Sequence, residues 1–397
     1  MPQVVKWGSG GTPKATEKQY YDGGSIPWLV IGDLNDSIVS FSASKITELG
    51  LQNSSAKMIP AGTLLVAMYG SIGKLGITGI ECCTNQAIAY AKELYGVTTK
   101  YMFFYMAMMK SELISKGKGG TQKNISQTVL NSLEVIVPPL PEQELIVSRI
   151  EELFSQLDAG VETLKKTKAQ LAVYRQAVLK EAFEGRLTAS GPEKIVRLGD
   201  YIETPRYGTS KKCSYDDGRD RTAVYRIPNI EHKNGRISHD DIKYAQFTES
   251  ELDGIRLQQG DILIIRSNGS VSLVGRAAMV CDADITGTFA GYLMRLRISE
   301  PETLLPKFLL LFLQSHQARI YIENKAKSTS GVHNINSTEI SDLQMPLYDP
   351  DTQYAIIEAI ESRLSVCDSI EQTVDTALQQ AEAMRQSILK NAFEGRL

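Results

Sequence analysis

Arginine is absent from the first 140 residues of this 397-residue sequence, although twelve lysines occur there. The five cysteines form no CxxC pair and the four histidines are scattered, which argues against a zinc site of ordinary spacing. The longest apolar runs, at 101–109 and 308–313, are far shorter than the roughly 20 residues that cross a bilayer. The N-terminus lacks the apolar core of a signal peptide. We therefore expect a cytoplasmic protein with reduced thiols and no membrane contact.

A basic excess is also absent, because 43 Lys and Arg residues face 46 Asp and Glu residues and the formal net charge is −3. Nucleic-acid-binding domains are usually basic, so this balance counts against DNA binding by the chain alone. The charge is uneven, however: residues 1–140 hold twelve bases and nine acids, whereas residues 350–397 hold four bases and eight acids. The length predicts about two to four domains.

Complete catalytic motifs are missing as well. The stretch GSIGKLG at 70–76 lacks the full spacing of a phosphate-binding loop, so we interpret it as a hairpin turn with Lys74 projecting outward. The sequence contains no NPPY-like element and no glycine-rich methyl-donor loop, so methylation would require another chain. A nuclease is an open alternative, because carboxylates and a lysine that suit one metal ion occur near 231; the residues concerned are Asp217, Asp220, Glu231, His232 and Lys233.

A thirteen-residue segment occurs twice, as RQAVLKEAFEGRL at 175–187 and RQSILKNAFEGRL at 385–397, with ten identical positions. A repeat of this size usually means one structural unit used twice. Further matches pair 11–12 with 208–209, 62–76 with 260–275, 100–106 with 307–313 and 123–125 with 333–335. The separation of matched residues rises along the chain, which predicts loop insertions in the second copy.

Each copy begins with short apolar runs between turn-forming residues and ends in a long helical stretch. We predict an α+β fold with two globular mixed α/β domains, at 1–140 and 188–348, and two long helices, at 141–187 and 349–397. We expect these helices to pair antiparallel as a coiled coil that relates the domains by a pseudo-twofold internal repeat and spaces them. Asp349 suits the N-cap of the second helix. Gly185 and Gly395 suit left-handed C-caps, on which Leu187 and Leu397 can pack.

Apolar residues recur every seven positions along both helices, which predicts pairing with another long helix. The helix-pairing positions are Ile150, Leu157, Leu164, Leu171 and Val178 in the first helix and Ile360, Val374 and Ile388 in the second. Two amphipathic helices packed on separate globules remain an alternative. A coiled-coil scaffold without a nucleic-acid role is a second one.

Polar, glycine-flanked loops occur at matched places in both copies, as expected of a duplicated DNA reader. Arg and Lys suit guanine and Asn and Gln suit adenine in the major groove. The first copy offers Lys14, Tyr69, Ser71, Lys74, Asn85, Gln86, Thr121, Gln122, Lys123 and Asn124. The second offers Arg206, Tyr207, Lys211, Lys212, Arg226, Asn229, Arg266, Asn268, Ser270, Arg276, Ser330, His333 and Asn334.

Five segments carry a resemblance to a known family: SGGTPK at 9–14, IPWLVIGDL at 26–34, GGTQKNISQTVLNSLEVIVPPLPEQELI at 119–146, and the two AFEGRL ends. They resemble the specificity subunits of type I restriction–modification systems, and the resemblance covers nearly the whole chain. It implies two target recognition domains, at 1–140 and 188–348, that read a split, asymmetric site in double-stranded DNA. It implies no catalysis by this chain.

The resemblance also implies partners, namely two methyltransferase subunits and restriction subunits with motor and nuclease activity. S-adenosylmethionine, ATP and Mg²⁺ are expected on those partners, and no cofactor or metal is expected on this chain. A specificity subunit of a related enzyme that cuts near its site remains an alternative. The first copy lacks the opening run that the second keeps as VRLGD at 196–200, so we expect its first domain to lack an opening strand.

Overall fold

The computed structural model describes residues 1–119, 123–187, 191–218, 220–231, 233–326 and 331–397. The chain forms two compact units. Unit 1 comprises Met1–Lys165 together with Asp375–Leu397, and unit 2 comprises Lys166–Val374. Two helices of 44 residues each contribute one part to each unit.

Unit 1 contains eight strands and four complete short helices among the described residues. The strands are β1 (Val5–Ser9), β2 (Ile26–Leu29), β3 (Ser37–Val39), β4 (Lys45–Ile46), β5 (Leu64–Ala67), β6 (Leu75–Thr78), β7 (Cys83–Thr84) and β8 (Ile88–Leu94). The helices are α1 (Glu48–Gln52), α2 (Thr99–Met108), α3 (Lys110–Ser115), α4 (Gln127–Asn131) and the first part of the long helix α5 (Leu140–Phe183).

A five-stranded sheet in the order β1-β8-β5-β6-β3 forms the centre of unit 1, beside a smaller sheet in the order β4-β2-β7. All four residues of β5 are buried, because alternate side chains point into different cores. Leu64 and Val66 pack with α2 and the long helices, whereas Leu65 and Ala67 pack on the opposite face. Both faces of this sheet are therefore covered, which explains an apolar run without polar alternation.

Unit 2 repeats this plan with more strands. They are β9 (Lys194–Arg197), β10 (Arg206–Tyr207), β11 (Thr222–Tyr225), β12 (Ile230–Glu231), β13 (Arg236–Ile237), β14 (Lys243–Ala245), β15 (Ile262–Ile265), β16 (Ser267–Asn268), β17 (Ala277–Met279), β18 (Thr288–Phe289), β19 (Leu293–Leu296), β20 (His333–Asn334) and β21 (Gln344–Leu347). The helices are α6 (Glu249–Asp253), α7 (Pro306–Leu313), α8 (His316–Lys325), α9 (Ser337–Ser341) and α10 (Pro350–Phe393). Its main sheet has the order β10-β19-β15-β17, beside β14-β11-β18.

The strand pairings confirm the predicted duplication. In unit 1, β5 pairs antiparallel with β8 and β6, and β2 pairs parallel with β7. In unit 2, β15 pairs antiparallel with β19 and β17, and β11 pairs parallel with β18. A parallel pair within mostly antiparallel sheets is a specific feature, so its recurrence shows that the copies share their topology as well as their helix ends.

The hydrogen bonds correct the predicted alignment of the copies in two places. Gly10, and not Gly11, is the counterpart of Gly208, because each donates to the first residue of the matching strand, Ile88 or Leu293. The segment from Gly10 to Leu29 is two residues longer than its counterpart from Gly208 to Tyr225, so the separation does not only rise along the chain.

The second correction concerns the loop after β5. Gly73 donates to the carbonyl of Ala67 as Gly275 donates to that of Ile265, so the second loop is four residues longer than the first. Both glycines have a positive φ, 73° and 80°. Equating Gly76 with Gly275 from the sequence was therefore wrong, because the insertion lies within this polar loop, where residue types give no register.

The long helices run antiparallel within each unit. In unit 1, Ile150 near the start of α5 packs with Leu389 near the end of α10, and Arg385 forms an ion pair with Asp158. In unit 2, Val178 near the end of α5 shares a core with Ile360 near the start of α10. The predicted coiled-coil pairing is confirmed.

The predicted seam lies on the inward faces of both helices. Ile150, Val178, Ile360 and Val374 are buried, and Leu157, Leu164, Leu171 and Ile388 are half-buried. Cys367 and Ala381 continue the seam of α10 as buried residues. Arg363, three residues after Ile360, is exposed.

The two AFEGRL segments end the helices with the same cap. Arg186 donates to the carbonyl of Glu181 at 2.9 Å, and Arg396 donates to that of Asn391 at 2.8 Å. Gly185 and Gly395 have φ values of 73° and 71°, which confirms the predicted left-handed caps.

The terminal leucines differ. Leu187 packs against the core of unit 2, as expected. Leu397 is 50% exposed, so the expectation that it packs on its cap was wrong.

The phenylalanine of each repeat completes the core of a globular domain. Phe393 at the end of α10 packs edge-on against Tyr101 and Tyr105 of α2, with ring centroids 5.1 and 5.4 Å apart. Phe183 at the end of α5 packs in the same way on Phe308 and Phe312 of α7, both at 5.2 Å. The end of α10 at Phe393 therefore belongs to the core of unit 1.

A buried glutamine fixes the start of each long helix. Gln143 accepts a hydrogen bond from the backbone of Thr98 at 3.0 Å and donates to the carbonyls of Gly96 and Pro138. Gln353 makes the matching bonds to Leu305, Thr303 and Tyr348. Both side chains are fully buried, so three hydrogen bonds satisfy each amide.

The units differ at one strand. In unit 2, β9 pairs antiparallel with β21. Within the described part of unit 1, the counterpart of β21 at 134–137 is not in a strand, and Ile136 is 70% exposed there.

At the N-cap of α10, the Asp349 carboxylate accepts from the backbone of Thr352 at 3.0 Å, as predicted. Across the described residues, no helix is both long and apolar enough to span a membrane.

We expect Phe393→Ala to destabilise unit 1, because truncating a ring packed on two core tyrosines costs about 2–4 kcal/mol of unfolding free energy. Both tryptophans, Trp7 and Trp28, lie in unit 1, so their fluorescence during urea unfolding reports on this unit. Leu397→Ala is the control and should shift the free energy by less than about 0.5 kcal/mol. An unchanged urea midpoint for Phe393→Ala would mean that the end of α10 does not stabilise the first domain.

Candidate nucleic-acid interface

Four loop segments meet at one edge of unit 1, which we call rim 1: residues 10–14, 68–71, 85–87 and 123–125. Gly11 donates to the carbonyl of Thr84, and Met68 donates to that of Ala87, both at 2.8 Å. Ile125 in turn donates to the carbonyl of Met68 at 2.8 Å. The main sheet and its neighbour therefore hold all four segments together through backbone bonds.

The matching segments of unit 2 form rim 2: residues 206–209, 266–270, 290–292 and 333–335. Arg266 donates to the carbonyl of Tyr292, and Ile335 donates to that of Arg266, both at 2.9 Å. Residue pairs recur as well, because Tyr69 opposes Asn124 in rim 1 as Ser267 opposes Asn334 in rim 2. The predicted equivalence of these loops is therefore confirmed at residue level.

Close backbone approach explains one glycine in each rim. A Cβ on Gly10 would lie 2.1 Å from the carbonyl oxygen of Asn85. A Cβ on Gly208 would lie 2.1 Å from that of Phe289. Any side chain at these positions would separate the first loop segment from the third, so the glycines allow each rim to assemble.

Rim 1 presents small polar and lysine side chains. Ser71, Lys123 and Asn124 are exposed, and Tyr69 is 36% exposed. Elsewhere in the rim, Gln86 accepts a hydrogen bond from Thr12. Asn85 is half-buried and accepts from the backbone of Ala87 at 3.1 Å. The Lys14 ammonium lies 4.0 Å from the Glu17 carboxylate. Glutamine and asparagine supply the paired donor and acceptor that adenine requires.

Rim 2 is built around a stacked arginine. The guanidinium carbon of Arg266 lies 4.3 Å from the centre of the Tyr207 ring. The Tyr207 hydroxyl accepts from the backbone of Ser337 at 3.0 Å, which holds the ring in place. Such a cation–π contact contributes about 0.5–1 kcal/mol where it is exposed to water.

The remaining predicted residues of rim 2 lie beside this pair. Arg206, Ser270 and Asn334 are exposed, whereas Asn268 is half-buried and accepts from the backbone of Ser270 at 2.9 Å. His333 is half-buried, with Nδ1 3.0 Å from the carbonyl of Ala326.

Several predicted DNA contacts are corrected, because their side chains form hydrogen bonds within the protein. Asn229 is fully buried and accepts from the backbone of Arg226 at 2.8 Å, so it is not available to DNA. Arg226 donates to Asp241 at 2.8 Å. Lys74 donates to the carbonyl of Ile31 at 3.4 Å and does not project outward, although the turn around it forms as expected.

Three more predicted contacts lie apart from the loop segments of rim 2. Lys211 donates to Glu251 at 2.7 Å, and this hydrogen bond is the largest cause that lowers the pKa of Glu251 to about 2. Lys212 beside it is exposed. Arg276 is half-buried and donates to the carbonyl of Ser272, and burial lowers its pKa, with Arg319 as a smaller cause.

Predicted contacts at Thr121, Gln122 and Ser330 lie outside the described residues, as does His232 of the nuclease alternative. Lys233 of that alternative forms an ion pair with Glu371 of α10 at 2.8 Å. Glu231 accepts from Asn234 at 2.8 Å. Both side chains are thus engaged within the protein, and the described residues contain no cluster of His, Cys, Asp and Glu side chains that could hold a metal ion.

The sequence did not reveal Tyr292 as part of rim 2. Its side chain is 62% exposed, and its carbonyl holds Arg266 in place. The available signal was the match between residues 85–87 and 290–292. Asn85 and Gln86 were predicted as DNA contacts, but no residue of 290–292 was. An alignment through the buried strands β8 and β19 identifies this match.

Comparison with known proteins gives a consistent result. Residues 3–172 match the family model described as type I restriction modification DNA specificity domain. The chain is 28% identical over 304 residues to the type I restriction enzyme EcoKI specificity subunit of Escherichia coli K12, covering 74% of this chain and 64% of that protein's length. It is 25% identical over 362 residues to the StySPI specificity subunit of Salmonella potsdam, covering 87% and 77% of the two chains.

Two solved structures share the fold over nearly their whole length. One comes from work on complex assembly and conformational transition of the type I R-M system, with a TM-score of 0.74, 15% identity, and 100% and 99% of the two chains covered. The other is the HsdS subunit from Thermoanaerobacter tengcongensis, with a TM-score of 0.53, 15% identity, and coverage of 100% and 98%. At this identity the two structures support the fold alone.

Two asparagines of unit 2 test the distinction between framework and rim. Asn229→Ala should lower the stability of unit 2 by about 2–3 kcal/mol, because it removes the hydrogen bonds of a fully buried amide to the backbone of Arg226, Ser238 and Asp240. Asn268→Ala, at a less buried position, should change it by about 0.5 kcal/mol or less. Amide hydrogen exchange of β11 and β15 measures the stability of unit 2 in both variants. Equal loss of protection in the two variants would contradict the assignment of Asn268 to the rim.

Proposed function

From the match of residues 3–172 and the similarity to curated specificity subunits, we propose that the chain is a type I restriction–modification specificity subunit, the DNA-reading subunit of such a complex. Unit 1 reads one half of a bipartite, asymmetric site in double-stranded DNA, and unit 2 reads the other half. The observation that carries this proposal is the pair of rims, which share one backbone framework but present different side chains.

A duplicated framework with divergent side chains suits an asymmetric target. Backbone bonds set the position of each loop, and side chains determine which base edges they can contact. Met68 of rim 1 is 3% exposed, whereas Arg266 occupies the equivalent position in rim 2. Two units with identical rims would read a repeated half-site, so the divergence supports unlike half-sites.

In this proposal the chemistry belongs to other subunits. Two methyltransferase subunits bind S-adenosylmethionine and methylate adenine, and restriction subunits use ATP and Mg²⁺ for translocation and cleavage. The chain itself acts without a cofactor and without catalysis. The sequence supports this division, because it contains neither a methyl-donor loop nor a complete phosphate-binding loop.

The charge balance supports shared DNA binding. Phosphate contacts supply much of the affinity of DNA-binding proteins and depend on basic side chains. This chain has a net charge of −3, and framework contacts engage Lys211, Arg226 and Lys233. We therefore propose that the methyltransferase subunits supply many of the phosphate contacts, while the rims supply base contacts.

Exchange of the first domain tests the division between half-sites. Residues 1–139, which end where α5 begins, would be replaced by the equivalent segment of a relative with a different specificity. Expressed with methyltransferase subunits, the chimera should methylate adenines in a site with one new and one unchanged half, as mapped across the genome. Simultaneous change of both halves would contradict one reader per unit, and the parental chain is the control.

Binding of labelled duplex tests the shared contacts. We expect the isolated chain to bind weakly and the assembled complex to bind tightly. Raising the salt concentration from 50 to 200 mM should weaken the complex by about 10³- to 10⁵-fold, because several phosphate contacts are lost together. Tight, sequence-specific binding by the isolated chain would contradict the proposal, and a scrambled duplex serves as the control.

A further inference from the structure

Arg266 occupies the centre of rim 2 and is held from both sides. Its backbone N–H donates to Tyr292, and its carbonyl accepts from Ile335, each at 2.9 Å. The first bond ties it to the loop before β19, and the second ties it to the segment before α9. Its Cα therefore cannot move without disturbing two neighbouring loops.

The guanidinium is also oriented. One face lies over Tyr207 at 4.3 Å, and Nη1 donates to the carbonyl of Gly291 at 3.2 Å. The Nε atom is buried without a hydrogen-bond partner, and no acceptor in the described part of the chain is bonded to Nη2. Arg226 and Arg295 also have a buried Nε without a partner, but their Nη2 atoms face the carboxylates of Asp241 and Glu203. The Nη2 of Arg266 therefore points to a missing acceptor.

The geometry of this group suits one base. An arginine fork donates to the O6 and N7 atoms of guanine, which lie side by side in the major groove. A phosphate accepts from an arginine in many orientations, and exposed Arg206 on β10 already suits that role. Stacking on Tyr207 fixes the plane of the fork, which matters more for a base edge than for a phosphate.

The equivalent position in unit 1 holds Met68, which has no guanidinium to contact a base. Met68 makes the same two backbone bonds, to Ala87 and Ile125, but its side chain is buried. Unit 1 also has no arginine before Arg149, which lies on α5 and away from rim 1. The arginine–guanine contact is therefore available to one rim and not to the other.

We propose that Arg266 determines specificity by reading one guanine in the half-site of unit 2. This inference rests on the proposed function, because it assigns the chemistry of one base within that site. The inference goes beyond the proposed function, because it predicts an invariant guanine in one half-site whose recognition depends on a single side chain.

The test uses the complex with methyltransferase subunits and the site defined by methylation mapping. The domain exchange described above identifies which half belongs to unit 2. Each guanine of that half is replaced in turn by 7-deazaguanine, which lacks the N7 acceptor. At one guanine, the wild-type complex should lose about 5- to 150-fold in affinity, the range of one bidentate base contact.

Two variants connect that guanine to Arg266. Arg266→Gln and Arg266→Met should bind the natural site more weakly and should show no further loss with 7-deazaguanine at that position. The methionine variant places at this position the residue that unit 1 already has, so it preserves the buried environment. The proposal is overturned if both variants keep the wild-type sensitivity, or if no guanine in this half-site is sensitive.

Arg206→Gln, on β10 beside Tyr207, is the matched control. It should weaken binding to all duplexes alike and keep the sensitivity to 7-deazaguanine. Loss of sensitivity in this variant alone would make Arg206 the reader and would overturn the assignment. If the wild-type complex methylates no bipartite site at all, the proposed function fails, whereas an unaltered profile in the Arg266 variants refutes this inference alone.

Discussion

Burial of one phenylalanine at the end of each long helix is the constraint on which the architecture depends. Phe183 completes the aromatic core around α7, and Phe393 completes the one around α2. Truncating such a ring costs about 3–5 kcal/mol where it is buried, as Phe183 is, and less at the partly buried Phe393. Each contact therefore supplies a large part of a domain's stability. Each unit therefore needs parts of both long helices, including a segment distant in sequence. This explains why the most similar segments of the two copies are helix ends.

The buried glutamines complement these phenylalanines at the opposite ends of the helices. Gln143 and Gln353 each tie the first turn of a long helix to the loop before a core helix. An amide with three partners tolerates little displacement, because an unsatisfied buried group costs about 1–3 kcal/mol. The framework is thus fixed at both ends of each helix by residues that recur in both copies. The rims are free to diverge because no such residue lies among their exposed side chains.

The sequence predicted the features that arise from long periodic patterns and from repetition. Heptad spacing identified the paired helices, and the AFEGRL repeat identified the duplication and both glycine caps. The prediction of individual DNA contacts failed where each polar residue was judged by its type alone. Asn229 and Asn268 look alike in sequence, yet one is buried within its own turn and the other lies in rim 2. Burial of a polar side chain depends on tertiary contacts, here with Ser238 and Asp240, that local patterns do not encode. Loop register failed for a related reason, since an insertion between two glycines leaves no periodic signal.

The framework contacts of basic side chains fit the low net charge of a chain that we propose reads DNA together with other subunits. Several basic side chains of unit 2 are engaged in framework contacts, such as that of Lys211 with Glu251 and that of Arg226 with Asp241. These pairs stabilise loops but leave less positive charge for phosphates, which fits a subunit that acts together with others. Base reading makes a different demand, because it needs a few donors held at fixed angles and not a broad positive field. Arg266 meets this demand through one aromatic ring and three backbone contacts. A nearly neutral protein can therefore hold a specific reading group, provided that its partners supply the long-range attraction.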